Sequence, residues 1–195
     1  MRRPRRNHSP AFEAREAGAP PINGTTASPV PTDSMTLQLQ TLRPEDWRLF
    51  REVRLAALRE APDAFSSTLS DWQGAADTEE RWRNRLSNVR FNVIASLRGV
   101  PAGMISATQI DDQRAELLST WVAPWARGQG IADALVNEVR RWANDLGCVY
   151  VVLGVHPSNN HAIRLYERSG FVVEPSTGDR SRELRMVQVA SRPVE

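Results

Sequence analysis

Two glycines, Gly128 and Gly130, stand between an apolar segment and a strongly periodic helical segment. Glycine removes the side chain where the backbone must approach another group closely. A helix that starts at such a point offers unpaired N–H groups at the positive end of its dipole. Anions bind at helix starts of this kind, so we expect an anion site here, with a pyrophosphate as the anion. The alternative is a glycine-rich turn that only starts a helix.

Two common nucleotide-binding loops do not match this spacing. A dinucleotide-binding fingerprint needs glycine or alanine where Asp133 stands, and it belongs at the first strand–helix turn rather than after several antiparallel strands. A triphosphate-binding loop of the Walker type needs a lysine, but all 25 basic residues are arginine. The absence of lysine also excludes Schiff-base and pyridoxal-phosphate chemistry.

The elements that must position the glycine loop follow from the spacing of the apolar residues. The clearest is a helix from Gly130 to Leu146, because apolar residues recur along it at spacings of three and four. A second helix is expected to begin at Asp77, which would cap it. The predicted order is a strand at 37–41, two helices beginning near 44 and 77, an antiparallel hairpin of 91–97 and 103–110, a strand at 116–122, the helix at 130–146, a strand at 149–155, a helix at 160–169, and strands at 171–174 and 183–189. This order predicts a mixed α/β, or α+β, single domain.

Residues 1–34 differ in composition from the rest of the chain. They are rich in proline and hold 5 arginines against 3 acidic residues, whereas the remaining residues hold 20 arginines against 20 acids. We expect a disordered tail at 1–34, one domain at 35–190 and a short tail at 191–195. An upstream start codon would also explain the first tail, because Met35 opens the first strand. A neutral domain gives no reason to expect nucleic acid as a partner.

The single cysteine, Cys148, forbids an internal disulfide and indicates a reducing compartment. No apolar run reaches the ~18 residues of a membrane span, and no apolar signal-peptide core follows the basic start. We therefore expect a cytoplasmic protein without a membrane partner. His156 and His161 have no acid or cysteine that completes a ligand set, so we expect no metal site.

Two separate motifs resemble the GNAT superfamily of N-acetyltransferases. The first, Arg127–Ala132, reads Arg-Gly-Gln-Gly-Ile-Ala and matches the Arg/Gln-x-x-Gly-x-Gly/Ala loop of the superfamily, and Val-x-Pro precedes it at Val122–Pro124. The second is Val-His-Pro-Ser-Asn-Asn-His-Ala-Ile-Arg-Leu-Tyr-Glu-Arg-Ser-Gly-Phe, from Val155 to Phe171. Together with the order of elements, the resemblance covers about residues 37–189.

The resemblance implies a GNAT-type single domain with a central, mostly antiparallel sheet of about seven strands, a splayed strand pair and about four flanking helices. It implies acetyl-CoA as co-substrate, with the pyrophosphate on backbone N–H groups of the loop and the pantetheine arm along the strand that ends at Val122. A backbone N–H near Trp121 or Val122 would polarise the thioester carbonyl. The implied cofactor-binding residues are Trp121, Val122, Ala123, Arg127, Gly128, Gln129, Gly130, Ile131, Ala132 and Asn159.

Tyr166 and Glu116 are the implied catalytic residues. Tyr166 takes the position of the superfamily's general acid, where a phenol with an unperturbed pKa of roughly 10 protonates the departing CoA thiolate. Glu116 is the first candidate for the general base, since relatives often place an acid on that strand that acts through water. Asp111 and Asp112 come next, and the alternative is that all three are charged residues at a hairpin end. Asn159 matches an asparagine that binds pantetheine or water in relatives, and it is also placed to cap a helix.

In this interpretation the acceptor is a primary amine of a small molecule or a protein. The superfamily shapes its acceptor pocket with the first two helices and their loop, here with Phe65, Trp72 and Trp82, although tryptophans at helical spacing more often belong to the core. A non-catalytic CoA-binding regulatory module with the same fold is the competing interpretation. The sequence identifies neither the amine nor the oligomeric state, which is often a homodimer in this superfamily.

Overall fold

The centre of the fold is a mixed, mostly antiparallel sheet of eight strands in the computed structural model, which describes residues 36–175 and 183–190. The strands are β1 (Leu37–Thr41), β2 (Phe91–Leu97), β3 (Val100–Gln109), β4 (Arg114–Leu117), β5 (Trp121–Val122), β6 (Tyr150–Val155), β7 (Val172–Val173) and β8 (Leu184–Val189). Their order across the sheet is β1-β2-β3-β4-β6-β8-β7, and β5 pairs with β3. Among the described strands, only β4 and β6 pair in parallel.

This sheet confirms the predicted mixed fold. The single strand predicted at 116–122 is divided into β4 and β5 by an irregular step at 118–120, which raises the expected seven strands to eight. At that step, Leu118 N donates to Ser106 O at 2.7 Å, and Ser106 N donates to Ser119 O at 3.2 Å. The tails predicted at 1–34 and 191–195 lie outside the described residues.

Four α-helices in the described part of the chain flank the sheet, as predicted. They are α1 (Trp47–Glu60), α2 (Glu79–Asn88), α3 (Ile131–Asp145) and α4 (Asn160–Arg168). α3 packs on one face of the sheet, where Phe91 stacks on Trp142 at 5.0 Å and a side chain at Gly103 would meet α3. Because successive residues of a strand point to opposite faces, Asn92 and Ser106 point to the other face, which α1 and α2 cover.

An aromatic and charged cluster joins α1 to α2. Trp82 is fully buried, with the rings of Trp72 and Phe50 at 4.4 and 6.1 Å. Its indole N–H donates to Asp77 Oδ1 at 2.8 Å, and Arg51 of α1 donates to both oxygens of the same carboxylate. The bonds from Arg51 and Trp82 lower the pKa of Asp77 to about 2, so this carboxylate stays charged and keeps the two helices together at neutral pH.

Asp77 was predicted to cap α2, and this prediction is wrong because of the same contacts. α2 begins at Glu79, and Thr78 caps it by accepting a hydrogen bond from Arg81 N at 3.3 Å. The carboxylate of Asp77 instead accepts hydrogen bonds from Trp82, five residues later, and from Arg51, which belongs to the preceding helix α1.

The central strands separate next to the irregular step. Among the described residues, β4 pairs with β6 over Arg114–Glu116 and Tyr150–Val152. Beyond this region β5 pairs with β3, whereas β6 continues along β8 as far as Val155. The splayed strand pair that the resemblance implied is therefore present, and it lies directly before the glycine loop.

Gly103 allows β5 to stay on β3 while β6 diverges. A Cβ at this position would lie 2.9 Å from the carbonyl oxygen of Trp121 and 3.3 Å from side-chain carbons of Ile131 and Leu135. A contact of 2.9 Å with a backbone oxygen is too short for any side chain, so only glycine fits here. The glycine thus sets the close spacing of β3, β5 and α3 that positions one wall of the site.

Candidate active site

A groove of about 780 Å³ lies beside β5. Its walls come from the end of α1, from β5, from the glycine loop with the first turn of α3, and from α4. The lining residues are Glu60, Ala61, Ala64, Thr120, Trp121, Val122, Ala126, Arg127, Gly128, Gly130, Ile131, Ala132, Asp133, Asn159, His161, Ala162, Arg164, Leu165, Tyr166 and Arg168. Eight of the ten predicted cofactor-binding residues, and Tyr166, are among them.

The glycine loop has a backbone conformation that requires its glycines. Gly128 and Gly130 have φ angles of 77° and 75°, which residues with a side chain rarely adopt. Gly130 immediately precedes α3, which begins at Ile131. A Cβ added to either glycine would meet no protein atom within 4 Å, so open space adjoins the start of the helix. This arrangement gives the first N–H groups of α3 room for an anion such as a pyrophosphate.

β5 presents a free edge to the groove. Ala123 N donates to Ala102 O at 2.8 Å, so this N–H points toward β3. Because successive backbone groups of a strand point to opposite edges, the N–H and C=O of Val122 point away from β3. Arg127 Nε donates to the carbonyl of Val122 at 3.1 Å, as this direction requires. The N–H of Val122 is therefore positioned to donate to a group in the groove.

Glu60, at the end of α1, connects this helix to β5 and the glycine loop through hydrogen bonds. Its Oε2 accepts from Trp121 Nε1 at 2.9 Å and from Arg127 Nη2 at 2.8 Å. The bond from Trp121, followed by the bond and charge of Arg127, lowers the pKa of Glu60. Glu60 therefore remains a carboxylate at neutral pH and fixes the position of the arginine that opens the glycine loop.

Tyr166 lies on α4 at the opposite wall of the groove. It is only 6% exposed, and its ring packs edge-on against Phe171 with centroids 5.6 Å apart. Burial raises the pKa of the Tyr166 phenol, while a hydrogen bond with the side chain of Thr120 acts in the opposite direction. The phenol is thus protonated at neutral pH, which is the form that a proton donor requires.

The rest of the α4 wall carries polar and basic groups. Asn159 Oδ1 accepts from Ala162 N at 3.1 Å, which confirms that Asn159 caps α4. Arg164 and Arg168 stand one turn apart on this helix and both line the groove. Arg168 also bonds the carboxylate of Asp133 on α3 at 3.3 and 3.4 Å, so an ion pair connects the two helices beside the glycine loop.

Three predicted site residues do not line the groove. Ala123 is buried and bonded to β3, and the side chain of Gln129 donates to Trp125 O at 3.3 Å. Glu116 pairs in register with Thr108 of β3, which places it on the sheet face covered by α1 and α2. It is half-buried there, four residues before Thr120 on the strand that leads to the groove.

The two weaker candidates for the base lie elsewhere. Asp111 accepts bonds from the backbone of Gln113 and from Arg114, with which it forms an ion pair at 2.7 Å. Asp112 is its exposed neighbour in the turn between β3 and β4. Neither lines the groove, so the interpretation of these two as charged residues of a hairpin end fits the structure better.

Several groove residues had not been predicted. Thr120 lies in the irregular step before β5, and Glu60 belongs to a helix 61 positions before its partner Trp121, so neither gives a local sequence signal. Arg164 and Arg168 could have been predicted from the sequence, because two arginines four positions apart lie on one face of a predicted helix and can bind phosphate together.

Neither a metal cluster nor a membrane-spanning helix is found in the described part of the chain. Within residues 36–175 and 183–190, no group of three or more histidine, cysteine, aspartate or glutamate side chains is arranged to hold a metal ion. His156 Nδ1 is 2.7 Å from Ser158 Oγ, and His161 lines the groove. The described helices are all too short or too polar to cross a membrane.

The sheet, its diverging strands and the glycine loop at the start of α3 define the acetyltransferase fold that the two motifs implied. The chain belongs to the acetyltransferase (GNAT) family, whose model matches residues 51–171. The match includes the glycine loop and the whole of the second motif.

Curated proteins resemble part of the chain in sequence. An uncharacterized N-acetyltransferase of Mycobacterium tuberculosis is 38% identical over 63 residues, which are 32% of this chain and 40% of the relative. The chain thus spans less than half the length of the curated relatives it matches.

Solved structures extend the similarity over most of the fold. The PaiA N-acetyltransferase of Thermoplasma acidophilum, in complex with coenzyme A, has a TM-score of 0.64 at 21% identity and covers 80% of this chain and 99% of its own. The spermidine N-acetyltransferase of Vibrio cholerae, in complex with CoA and spermine, has a TM-score of 0.62 at 22% identity, with coverages of 79% and 95%. At such identities the similarity establishes the fold alone.

Replacing Gly130 by leucine should abolish binding of CoA, because the side chain would occupy the open space beside the start of α3. Gly147→Leu is a matched control, since Gly147 has a φ of 77°, has no atom within 4 Å of its added Cβ and lies outside the groove. Both variants should lose similar stability from the positive φ, roughly 1–2 kcal/mol.

The measurement is the rise in thermal unfolding midpoint on addition of CoA. We expect it in the wild-type protein and in Gly147→Leu, and not in Gly130→Leu. Equal protection of the two variants would show that CoA binds away from the glycine loop.

Proposed function

We propose that the protein is an N-acetyltransferase that transfers an acetyl group directly from acetyl-CoA to a primary amine of a small molecule or a protein. One observation supports this function above the others. The glycine loop, the free edge of β5 and the buried phenol of Tyr166 all meet in one groove. An anion-binding loop, an oxyanion donor and a proton donor are the three groups that acetyl transfer from a thioester requires.

The cofactor-binding residues act at the two ends of the groove. The backbone N–H groups of Arg127–Ala132 bind the pyrophosphate, and Arg164 and Arg168 add positive charge from α4. The pantetheine arm runs along the free edge of β5, beside Trp121 and Val122, with Asn159 facing it from the opposite wall. This places the thioester at the end of the groove that holds Tyr166.

Val122 and Tyr166 stabilise the reacting atoms. The N–H of Val122 donates to the thioester oxygen as negative charge develops there. The amine nitrogen forms its bond to the carbonyl carbon while the carbon–sulfur bond breaks, and the phenol of Tyr166 gives its proton to the departing sulfur. Burial suits the phenol to this task, because the raised pKa keeps the proton in place until the thiolate leaves.

Glu116 is our candidate for the group that accepts the proton from the attacking amine. It lies on the α1 and α2 face of the sheet, so the amine would approach from that side while acetyl-CoA occupies the groove. Because Glu116 does not line the groove, the proton reaches it through water. Solvent then removes this proton and restores the one that Tyr166 has lost.

The proposed cellular setting is the cytoplasm, where acetyl-CoA and reducing conditions occur together. The single cysteine, Cys148, is fully buried two residues before β6 and acts as a small apolar residue there. The proposal needs neither a metal nor an acetylated cysteine.

Replacing Tyr166 by phenylalanine should lower the turnover number about 100-fold, because the proton donor is lost, and should leave CoA binding within about twofold of wild type. The assay is release of CoA thiol from acetyl-CoA over a panel of amines, with a protein-free control for spontaneous reaction. Tyr150→Phe is the matched control, since Tyr150 is the other tyrosine of the chain and lies outside the groove.

Unchanged turnover of Tyr166→Phe at saturating substrates would contradict the general-acid role. If the wild-type protein turned over no amine although CoA raised its unfolding midpoint, the non-catalytic CoA-binding module would be the correct interpretation.

Replacing Glu116 by glutamine should lower turnover about tenfold or more near neutral pH, because most of the amine is protonated there and the base is missing. The deficit should shrink as the pH rises toward 9 and free amine becomes abundant. Glu52→Gln, an exposed change on α1, is the control and should leave the pH profile unchanged. A Glu116→Gln profile that parallels wild type at every pH would place the base elsewhere.

A further inference from the structure

Arg54 is a buried cation on α1 that binds only neutral groups. It is 5% exposed, and its guanidinium donates to Ser119 Oγ at 3.0 Å and to Ser67 Oγ at 2.9 Å. The ring of Phe65 lies 4.3 Å from its central carbon. Arginine is almost never this buried without a carboxylate or another anion beside it.

A second arginine increases the positive charge at this place. Arg85 of α2 is half-buried, donates to Asn92 Oδ1 at 3.5 Å, and lies 5.5 Å from the ring of Phe50. Ser106 donates to the same amide oxygen at 2.8 Å. Burial, and for Arg54 the charge of Arg85 as well, lowers the pKa of both arginines to about 10, so both remain cations at neutral pH.

No carboxylate of the described residues forms an ion pair with either cation. Every ion pair found in residues 36–175 and 183–190 involves other arginines, including Arg51 on the same helix. Two like charges in a partly dry site repel each other, and the neutral hydroxyl and amide groups around them provide hydrogen bonds without compensating the charge. An external anion would compensate it.

The position of the cluster connects it to the reaction. Ser119, which accepts a hydrogen bond from Arg54, directly precedes Thr120, which lines the groove and bonds Tyr166. Arg54 is therefore bonded to the residue next to the groove wall. The cluster occupies the α1 and α2 face of the sheet, the same face as Glu116.

A thin layer covers Arg54 on its outer side. Phe65 and Ser67 belong to the loop after α1, and most residues of 61–70 are exposed. An anion that replaced the hydroxyl of Ser67 on the guanidinium would therefore require a local movement of this loop.

We propose that Arg54, supported by Arg85, binds a carboxylate of the acetyl acceptor, so that the substrate is an amine that also carries a carboxylate group. The planar fork of a guanidinium matches the two oxygens of a carboxylate, and a bond between two charged groups is stronger than the bonds to serine that it replaces. This inference rests on the proposed acetyltransferase function and names the class of its acceptor.

A purely structural role for Arg54 makes a different prediction. If Arg54 only links the loop to Ser119, its replacement should lower kcat/KM for all acceptors alike. If Arg54 binds a carboxylate, its replacement should lower kcat/KM for acceptors that carry a carboxylate and leave kcat/KM unchanged for the corresponding carboxamides.

The test compares matched acceptors that differ only in a carboxylate or its carboxamide: several α-amino acids, 3-aminopropanoate and 4-aminobutanoate, each with its amide. The readout is kcat/KM from CoA thiol release, corrected for the fraction of free amine in each compound. For the best pair we expect the wild-type protein to prefer the carboxylate by about tenfold or more.

Arg54→Gln should raise KM for the carboxylate member and reduce this preference to about twofold or less, with kcat/KM for the amide unchanged. Arg54→Lys keeps the charge without the fork and should give an intermediate preference. It also serves as the test variant if CoA fails to stabilise Arg54→Gln. Arg48→Gln, which removes an exposed charge from the same helix, should retain the wild-type preference.

Equal or better use of the amides by the wild-type protein would overturn the inference while leaving the proposed function intact. A carboxylate preference that survives in Arg54→Gln and Arg54→Lys would overturn it as well. Absence of turnover with every amine would contradict the proposed function itself.

Discussion

The pairing of β5 with β3 after β6 has diverged is the constraint on which the site depends. It holds one edge of a strand in the sheet and leaves the other edge, with the N–H of Val122, directed into the groove. The close packing of Gly103 against Trp121 keeps β5 in place, and Glu60 secures it from α1. The glycine loop then starts α3 beside this free edge, so one short segment supplies both the anion site and the candidate oxyanion donor.

We assign the two faces of the sheet to the two different substrates. α3 and α4, with the loop at Gly128 and Gly130, form the part of the groove that we assign to acetyl-CoA. The opposite face, under α1 and α2, carries Glu116 and the uncompensated cation Arg54. In our proposal, an acceptor that reaches the thioester from this face meets the candidate base and a positive charge before it meets Tyr166, so amine and acetyl-CoA can be bound together.

The sequence predicted what depends on local pattern. Apolar periodicity located α3, and an almost continuous apolar run located β6. The glycine loop and the second motif identified the family. It did not predict the irregular step at 118–120, because a strand interruption depends on hydrogen bonds to Ser106 of a neighbouring strand. The cap of α2 was misassigned for a similar reason, since Arg51 and Trp82 bind the carboxylate of Asp77. The contacts of Glu60 and Arg54 could not be predicted either, because their partners are distant in the sequence and meet them only in the folded chain.

Hydrogen exchange of backbone amides, with and without saturating CoA, tests the central claim most directly. If CoA lies in the groove beside β5, exchange should slow at Val122 and across 127–132, where we propose that the N–H groups bind it, while amides of α2 keep their rates. Unchanged exchange at these positions, with protection elsewhere in the fold, would contradict the assignment of the groove to acetyl-CoA.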